Sequence, residues 1–284
     1  MTRRIEADDA LRALLAKRED AHKYSYGHAL VLSGGAGRTG AARLAARAAL
    51  RVGAGLVTVL SPQSAMAENA AQLTSVMLQV LPDSYSLRGL MQDKRLNALL
   101  LGPGLGVPRA RDMVPAALWA KRATVLDADA LTAFAEEPRQ LLSALHPGVV
   151  LTPHMGEFAR LFPNLAEALR AGTLPALAAA QQAAERAGCT VLLKGAETAI
   201  ATPDGAAAVH SATGAEAAPW LATAGSGDVL AGLIAGLLAR GAAPFEAACA
   251  ASWLHAAAAR AFGPGLIAED LPEQIPAVLR SIGL

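Results

Sequence analysis

Short runs of almost wholly apolar residues recur along the chain at 29–33, 56–60, 76–80, 98–101, 124–126, 149–151 and 191–193. A strand with one wet face alternates polar with apolar residues. Runs that do not alternate are what strands covered on both faces look like. Between them lie longer alanine-rich stretches such as 41–52, 110–120 and 175–187, and alanine is the strongest helix former. Strand–helix–strand repetition predicts an α/β fold with a mostly parallel sheet and helices on both faces. The rhythm breaks over 198–209, where two strand-like runs flank the turn Pro203-Asp204-Gly205 and predict a hairpin. Helices are predicted beyond it over 228–240, 245–262 and 275–282. No internal repeat, charge run or linker is visible, so a single domain over 1–284 is expected.

Composition removes several function classes. Of the 284 residues, 53% are hydrophobic and 17% charged, which excludes a disordered chain. Lys and Arg number 25 against 24 Asp and Glu. So balanced a surface argues against nucleic acid and anionic membranes as partners, since both rest on excess positive charge. Cys189 and Cys249 are too few for a disulfide framework or a metal site and read as buried thiols. The six histidines show no metal-binding spacing. The amino-terminal segment lacks the apolar core of a signal peptide, and the longest apolar and glycine run, 229–239, is too short to span a bilayer. A cytoplasmic protein is expected.

Gly35-Ala36-Gly37-Arg38-Thr39-Gly40 matches the G-x-G-x-x-G dinucleotide fingerprint between a predicted strand and helix. The second strand, however, ends Val59-Leu60-Ser61-Pro62, without the carboxylate that would bind a ribose. Nor does Lys with Ser or Thr follow, as a phosphate-binding P-loop requires. The loop reads either as a tight turn or as an anion site of another kind at a helix N-terminus.

The sharpest feature is Ala222-Thr223-Ala224-Gly225-Ser226-Gly227-Asp228, which leads into VLAGLIAGLLARG. Small residues admit a ligand close to the backbone, and the first-turn amides of the following helix favour negative charge. Asp228 is either an N-cap or a general base that takes a proton from a hydroxyl while the amides hold a transferring phosphoryl group. Glycine on both sides of Ser226 favours the base, because a cap needs no such clearance.

Other predicted strands also end in chemistry-bearing residues. Lys194-Gly195-Ala196-Glu197-Thr198 follows one; Lys194 can hold a phosphate or be an ordinary strand-end lysine. Thr152-Pro153-His154-Met155-Gly156-Glu157 follows another, with His154 a ligand contact or a loop histidine and Glu157 in a helix's first turn. Gly102-Pro103-Gly104-Leu105-Gly106 and Asp127-Ala128-Asp129 complete the set. The two aspartates read as caps or as water-mediated magnesium or hydroxyl contacts. One cleft along the carboxyl edge of the sheet accounts for all of these exits.

Together these segments resemble the ADP/ATP-dependent NAD(P)H-hydrate dehydratase family. The matching stretches are KYSYGHALVLSGGAGRTGAARLAARAALRVGAGLVTV, LLLGPGLG, TVLDADAL, VLTPHMGEFARL, LLKGAET and LATAGSGDVLAGLIAGLLARG, in the family's order from about residue 26 to about residue 259. The resemblance implies a ribokinase-like three-layer α/β/α fold with a mostly parallel central sheet. It implies a carbon–oxygen lyase that repairs the (6S) hydrates of NADH and NADPH, with ADP split to AMP and phosphate, or ATP to ADP and phosphate. By motif, Asp228 is the base and a substrate contact. Lys194, Gly195, Ala196, Glu197 and Thr198, with Gly225, Ser226 and Gly227, bind the nucleotide. Ala41 or Ala42, Gly104, Gly106 and His154 touch the hydrated dinucleotide. Mg²⁺ is implied for the phosphates, with its ligands unassigned, and so is a homotetramer. Many relatives carry an epimerase domain in front; with so few residues before the first motif, none is expected here. A small-molecule kinase for a vitamin-precursor alcohol is the rival on the same scaffold. The GSGD loop permits it, but the GPGLG, TPHMGE and KGAET set suits it less well.

Overall fold

The computed structural model describes residues 3–284. Its strands are β1 (Arg3–Arg4), β2 (His28–Leu32), β3 (Leu56–Ser61), β4 (Met77–Val80), β5 (Ala98–Leu101), β6 (Ala123–Leu126), β7 (Val149–Leu151), β8 (Thr190–Leu193), β9 (Glu197–Ala201) and β10 (Ala207–Ser211). They form one sheet in the order β1-β10-β9-β8-β7-β6-β5-β2-β3-β4. Neighbours from β8 through to β4 pair in parallel, and β9 runs antiparallel to both β8 and β10. The hairpin expected over 198–209 is this β9–β10 pair.

The central strands are buried on both faces, as their composition predicts. Successive side chains leave a strand on opposite sides. Ala29 and Val31 of β2 accordingly join the core on one face, and Leu30 and Leu32 the core on the other. The first face is covered by the helices Gly40–Arg51, Ser226–Ala239 and Pro244–Phe262, the second by Val107–Trp119, Met155–Leu161 and Ala176–Ala187.

The apolar run 229–239 lies in Ser226–Ala239, and every residue from Val229 to Ala239 is buried. Its glycines let it press on Gly40–Arg51. A Cβ on Gly232 would stand 2.2 Å from the Ala45 carbonyl oxygen, and one on Gly236 2.6 Å from that of Ala49. This close seat fixes the helix whose N-terminus carries Asp228.

Two expectations are adjusted. The run 76–80 becomes β4, an edge strand on which Met77 and Val80 are exposed, so apolar composition there does not signal cover on both faces. The last helix starts earlier than expected, at Asp270, with Pro272 in its first turn, where no amide donor is required. The two-residue β1 carries no sequence pattern of its own. Cys189 and Cys249 are buried and unpaired, and burial pushes the Cys249 thiol up to about 12. Among the described residues no helix is long and apolar enough to cross a membrane.

Candidate active site

Strands β8, β7, β6, β5 and β2 are consecutive in the sheet, so their carboxyl ends open on one edge. From β2 the chain adds β3 and β4 on one side, then returns to add β5 to β8 on the other. The order therefore reverses between β2 and β5, the position at which open α/β sheets form their ligand crevice. The loops leaving these two strands touch: a Cβ on Gly34 would lie 2.0 Å from the Gly104 carbonyl oxygen. Gly102, with φ +126°, lies so close to the next loop that a Cβ would meet the Asp127 carbonyl oxygen at 1.6 Å. Only glycine fits there.

Asp127 leaves β6 buried. Its Oδ1 accepts from Lys194 Nζ at 2.7 Å and from Thr152 Oγ1 at 2.9 Å, tying together the exits of β6, β7 and β8. Burial opposes the Lys194 charge, but Asp127, Glu157 and Asp228 outweigh it and hold the ammonium above its ordinary pKa. Asp129 accepts from the Gly106 amide at 2.8 Å, binding the β6 exit to that of β5. Ala128 between the two aspartates has φ +46°, a strained backbone for a residue with a side chain.

His154 and Glu157 work locally. The His154 Nδ1 accepts from the Gly156 amide at 2.9 Å, and Glu157 accepts from the His154 amide at 2.9 Å, a reciprocal cap on Met155–Leu161. Burial raises the Glu157 pKa, with Lys194 opposing. The His154 ring remains exposed at the rim.

The helix Ser226–Ala239 brings in the opposite wall. Its N-cap is Gly225, in the left-handed region, with no side-chain capping bond, and Asp228 is its third residue. The capping role is thereby excluded for Asp228. Burial, reinforced by Asp127 and opposed by Lys194, pushes its carboxyl up to about 7; Asp129 and Glu157 add to the rise. The first-turn amides have no intrahelical partner. A Cβ on Gly227 would stand 3.4 Å from Lys194 Nζ, so helix start and lysine face each other closely.

The other expected residues separate by exposure. Ala41 is half-buried against Gly104, whose Cβ would lie 3.3 Å from that of Ala41. Ala42 is fully buried in the core and offers no surface to a ligand, so the contact expected of the pair falls to Ala41. Gly195, Ala196 and Glu197 are exposed beyond Lys194; Thr198 Oγ1 bonds the Gly195 carbonyl at 3.2 Å. At the Gly35–Gly40 loop, Glu68 accepts from the Gly37 amide at 2.7 Å and from the Thr39 hydroxyl. The anion held there is the protein's own carboxylate.

Two features escaped the sequence reading. His255, from Pro244–Phe262, donates from Nε2 to the Ser226 carbonyl oxygen at 2.9 Å, and burial lowers its pKa to about 4, so it is a neutral brace for the helix start. Its one signal was a histidine in an otherwise alanine-rich helix. A cavity of about 360 Å³ beside the Asp228 loop is lined by Trp220, Thr223 and Ile267 among others; the exposed Trp220 gave no periodic signal. Among the described residues no cluster of three His, Cys, Asp or Glu side chains could hold a metal ion.

On this layered α/β scaffold a half-buried lysine, the unpartnered first-turn amides of a helix and a near-neutral carboxylate stand together at the carboxyl edge of the sheet, an arrangement chemically suited to phosphoryl transfer. The layered fold is shared with solved structures under 25% identical, a ribokinase-like superfamily protein of Enterococcus faecalis and a ribokinase of Arabidopsis thaliana among them. The NAD(P)H-hydrate dehydratase family model matches residues 29–277, and the chain belongs to that family. An ADP-dependent (S)-NAD(P)H-hydrate dehydratase of Neisseria meningitidis is 40% identical over 86% of this chain and 80% of its own length. A bifunctional NAD(P)H-hydrate repair enzyme of Moorella thermoacetica is 40% identical over 95% of this chain but 53% of its own. The chain spans about half the length of several such bifunctional relatives. A solved ADP/ATP-dependent NAD(P)H-hydrate dehydratase of Bacillus subtilis, crystallised with ATP and Mg²⁺, superposes with TM-score 0.79 at 26% identity, covering 99% of each chain.

Proposed function

We propose that this chain restores NADH and NADPH from their (6S) hydrates, using ADP or ATP as phosphoryl donor. The observation that carries the reading is Asp228, free of any capping role, raised to about 7 and next to Gly227, against which Lys194 stands. A carboxyl near neutrality is poised both to be ionised and to accept a proton.

Hydroxide is a poor leaving group, so the ring hydroxyl must first be activated. The Asp228 carboxylate takes the proton from the C6 hydroxyl as its oxygen attacks the terminal phosphorus. The bond from phosphorus to the nucleotide's bridging oxygen breaks, releasing AMP from ADP or ADP from ATP. The C6–O bond then breaks, pushed by the ring nitrogen lone pair, and phosphate leaves. Loss of a proton from C5 restores the double bond and the dihydronicotinamide. Lys194 and the amides of Gly227 and Asp228 stabilise charge on the moving phosphoryl group.

In this reading Lys194, Gly195, Ala196, Glu197, Thr198, Gly225, Ser226 and Gly227 bind the nucleotide, with its base in the Trp220 cavity. Ala41, Gly104, Gly106 and His154 border the hydrated ring. Asp127 already holds Lys194 and Thr152, so the residues fit a Mg²⁺ carried on phosphate oxygens and water rather than caged by side chains. When bound, Mg²⁺ neutralises phosphate charge. The names of the Neisseria and Bacillus relatives support the nucleotide dependence. We further place the protein in the cytoplasm as a homotetramer, which light scattering of the purified chain tests.

Incubation with hydrated NADH or NADPH, Mg²⁺ and each nucleotide in turn tests the function. Recovery of reduced-nicotinamide absorbance together with nucleotide cleavage is expected. A stable phosphorylated alcohol as sole product would assign the site to a small-molecule kinase instead.

A further inference from the structure

A cavity of about 590 Å³ opens beside the Asp228 loop, between the helix Gly40–Arg51 and the segment 72–76. Gly40, Arg43, Leu44, Arg47, Leu73 and Val76 line it. Two contacts join it to the site. Gly40 precedes Ala41, which abuts Gly104. Leu44 reaches the Asp228 loop, where a Cβ on Gly225 would meet Leu44 Cδ1 at 2.9 Å and Ala268 Cβ at 2.8 Å. Glu269, next to Ala268, is again in the cavity wall. A ligand with its reactive end at Asp228 thus has this space immediately to one side.

The lining has two chemistries. Leu44, Leu73 and Val76 give it apolar surface. Arg43, Arg47 and Arg51 project from successive turns of one helix face. Arg43 is held by Thr39 with Glu68 nearby, and Glu269 also lines the wall, but Arg47 and Arg51 share the single carboxylate of Glu273, so that pair keeps free guanidinium donors. Guanidinium forks match phosphate oxygens and stack on aromatic rings. The volume falls within the range of small-molecule sites.

We propose that this groove takes the adenylate half of the hydrated dinucleotide, base against the apolar side chains and phosphates toward the arginines, while the nicotinamide half reaches Asp228. The assignment rests on the proposed function and adds where the non-reacting half of the substrate goes. Binding energy gathered there helps hold the hydrated ring at the base.

The products serve as probes. Calorimetry with NADH and with reduced nicotinamide mononucleotide is carried out on the full chain, on Arg47→Ala and on Thr74→Trp. Both substituted positions are exposed, so the core stays intact. The unsubstituted protein is expected to bind the dinucleotide on the order of tenfold more tightly, about 1.4 kcal/mol, and both variants to lose most of that preference. Equal affinity for the two probes in the unsubstituted protein, or a preference retained in both variants, overturns the assignment. So does a change in oligomeric mass with the preference intact, which would make the groove an interface between copies. Hydrate turnover by the unsubstituted protein, measured alongside, separates the two readings. Turnover without an affinity preference removes the groove and keeps the reaction, and a preference without turnover does the reverse.

Discussion

The two walls of the cleft hold the same kind of side chain in opposite circumstances. On the sheet wall, Asp127 is buried and bonded to an ammonium and a hydroxyl. On the helix wall, Asp228 is half-buried with no capping bond, and its neighbours are mostly carboxylates. The first carboxylate is committed to positioning Lys194 and stitching three strand exits together. The second is left with an unspent affinity for a proton. Paired titratable groups whose surroundings differ in this way divide acid–base work from structural work.

Three substitutions probe that division, the largest effect first. Lys194→Met leaves the Asp127 carboxylate buried without its ammonium, and a loss of ~3–5 kcal/mol in chemical denaturation at neutral pH is expected. A loss below about 1 kcal/mol, the worth of an exposed ion pair, would mean the pair is not an enclosed brace.

Asp228→Asn should have the opposite sign. A carboxyl raised from 3.8 to about 7 binds more protons folded than unfolded. The stability this contributes is full below the unfolded value and is lost as pH climbs through 7. The amide escapes that loss. The variant is therefore expected to melt higher than the unsubstituted protein at pH 8, by roughly 1–4 kcal/mol, and almost equally at pH 4. Equal melting at both pH values would show that the carboxyl is not strained by its surroundings.

His154→Ala removes one side-chain cap at the rim, and a stability change of about 1 kcal/mol is expected in the same denaturation experiment. A change several times larger would place His154 within the sheet wall's bracing rather than at its edge.

The scaffold was legible in the sequence wherever burial is two-sided. Strands β2, β3 and β5 to β8 lie within a residue of the apolar runs, because a parallel sheet sandwiched by helices admits little else. The shared edge of the strand exits was legible too, since parallel strands necessarily end together. Pairings across strands were not. Asp127 and Lys194 are 67 residues apart and meet only through the order β6-β7-β8. Glu68, which fills the glycine loop, lies 31 residues from Gly37 and carries no pattern of its own. The exposed face of β4 was hidden because an edge strand and a central strand share one composition here. Asp228 was recognisable as cap or base, with the flanking glycines favouring the base, and the N-cap position of Gly225 removes the cap reading.

Hydrate repair followed against pH, for the unsubstituted protein and for Asp228→Asn with the same nucleotide and Mg²⁺, tests the central claim most directly. The account predicts that repair by the unsubstituted protein rises as pH passes about 7 and then levels. It predicts that the variant is slower by about 10²–10⁴-fold on that plateau, with the gap narrowing as pH falls below 7. Repair by the variant at the unsubstituted rate would contradict it.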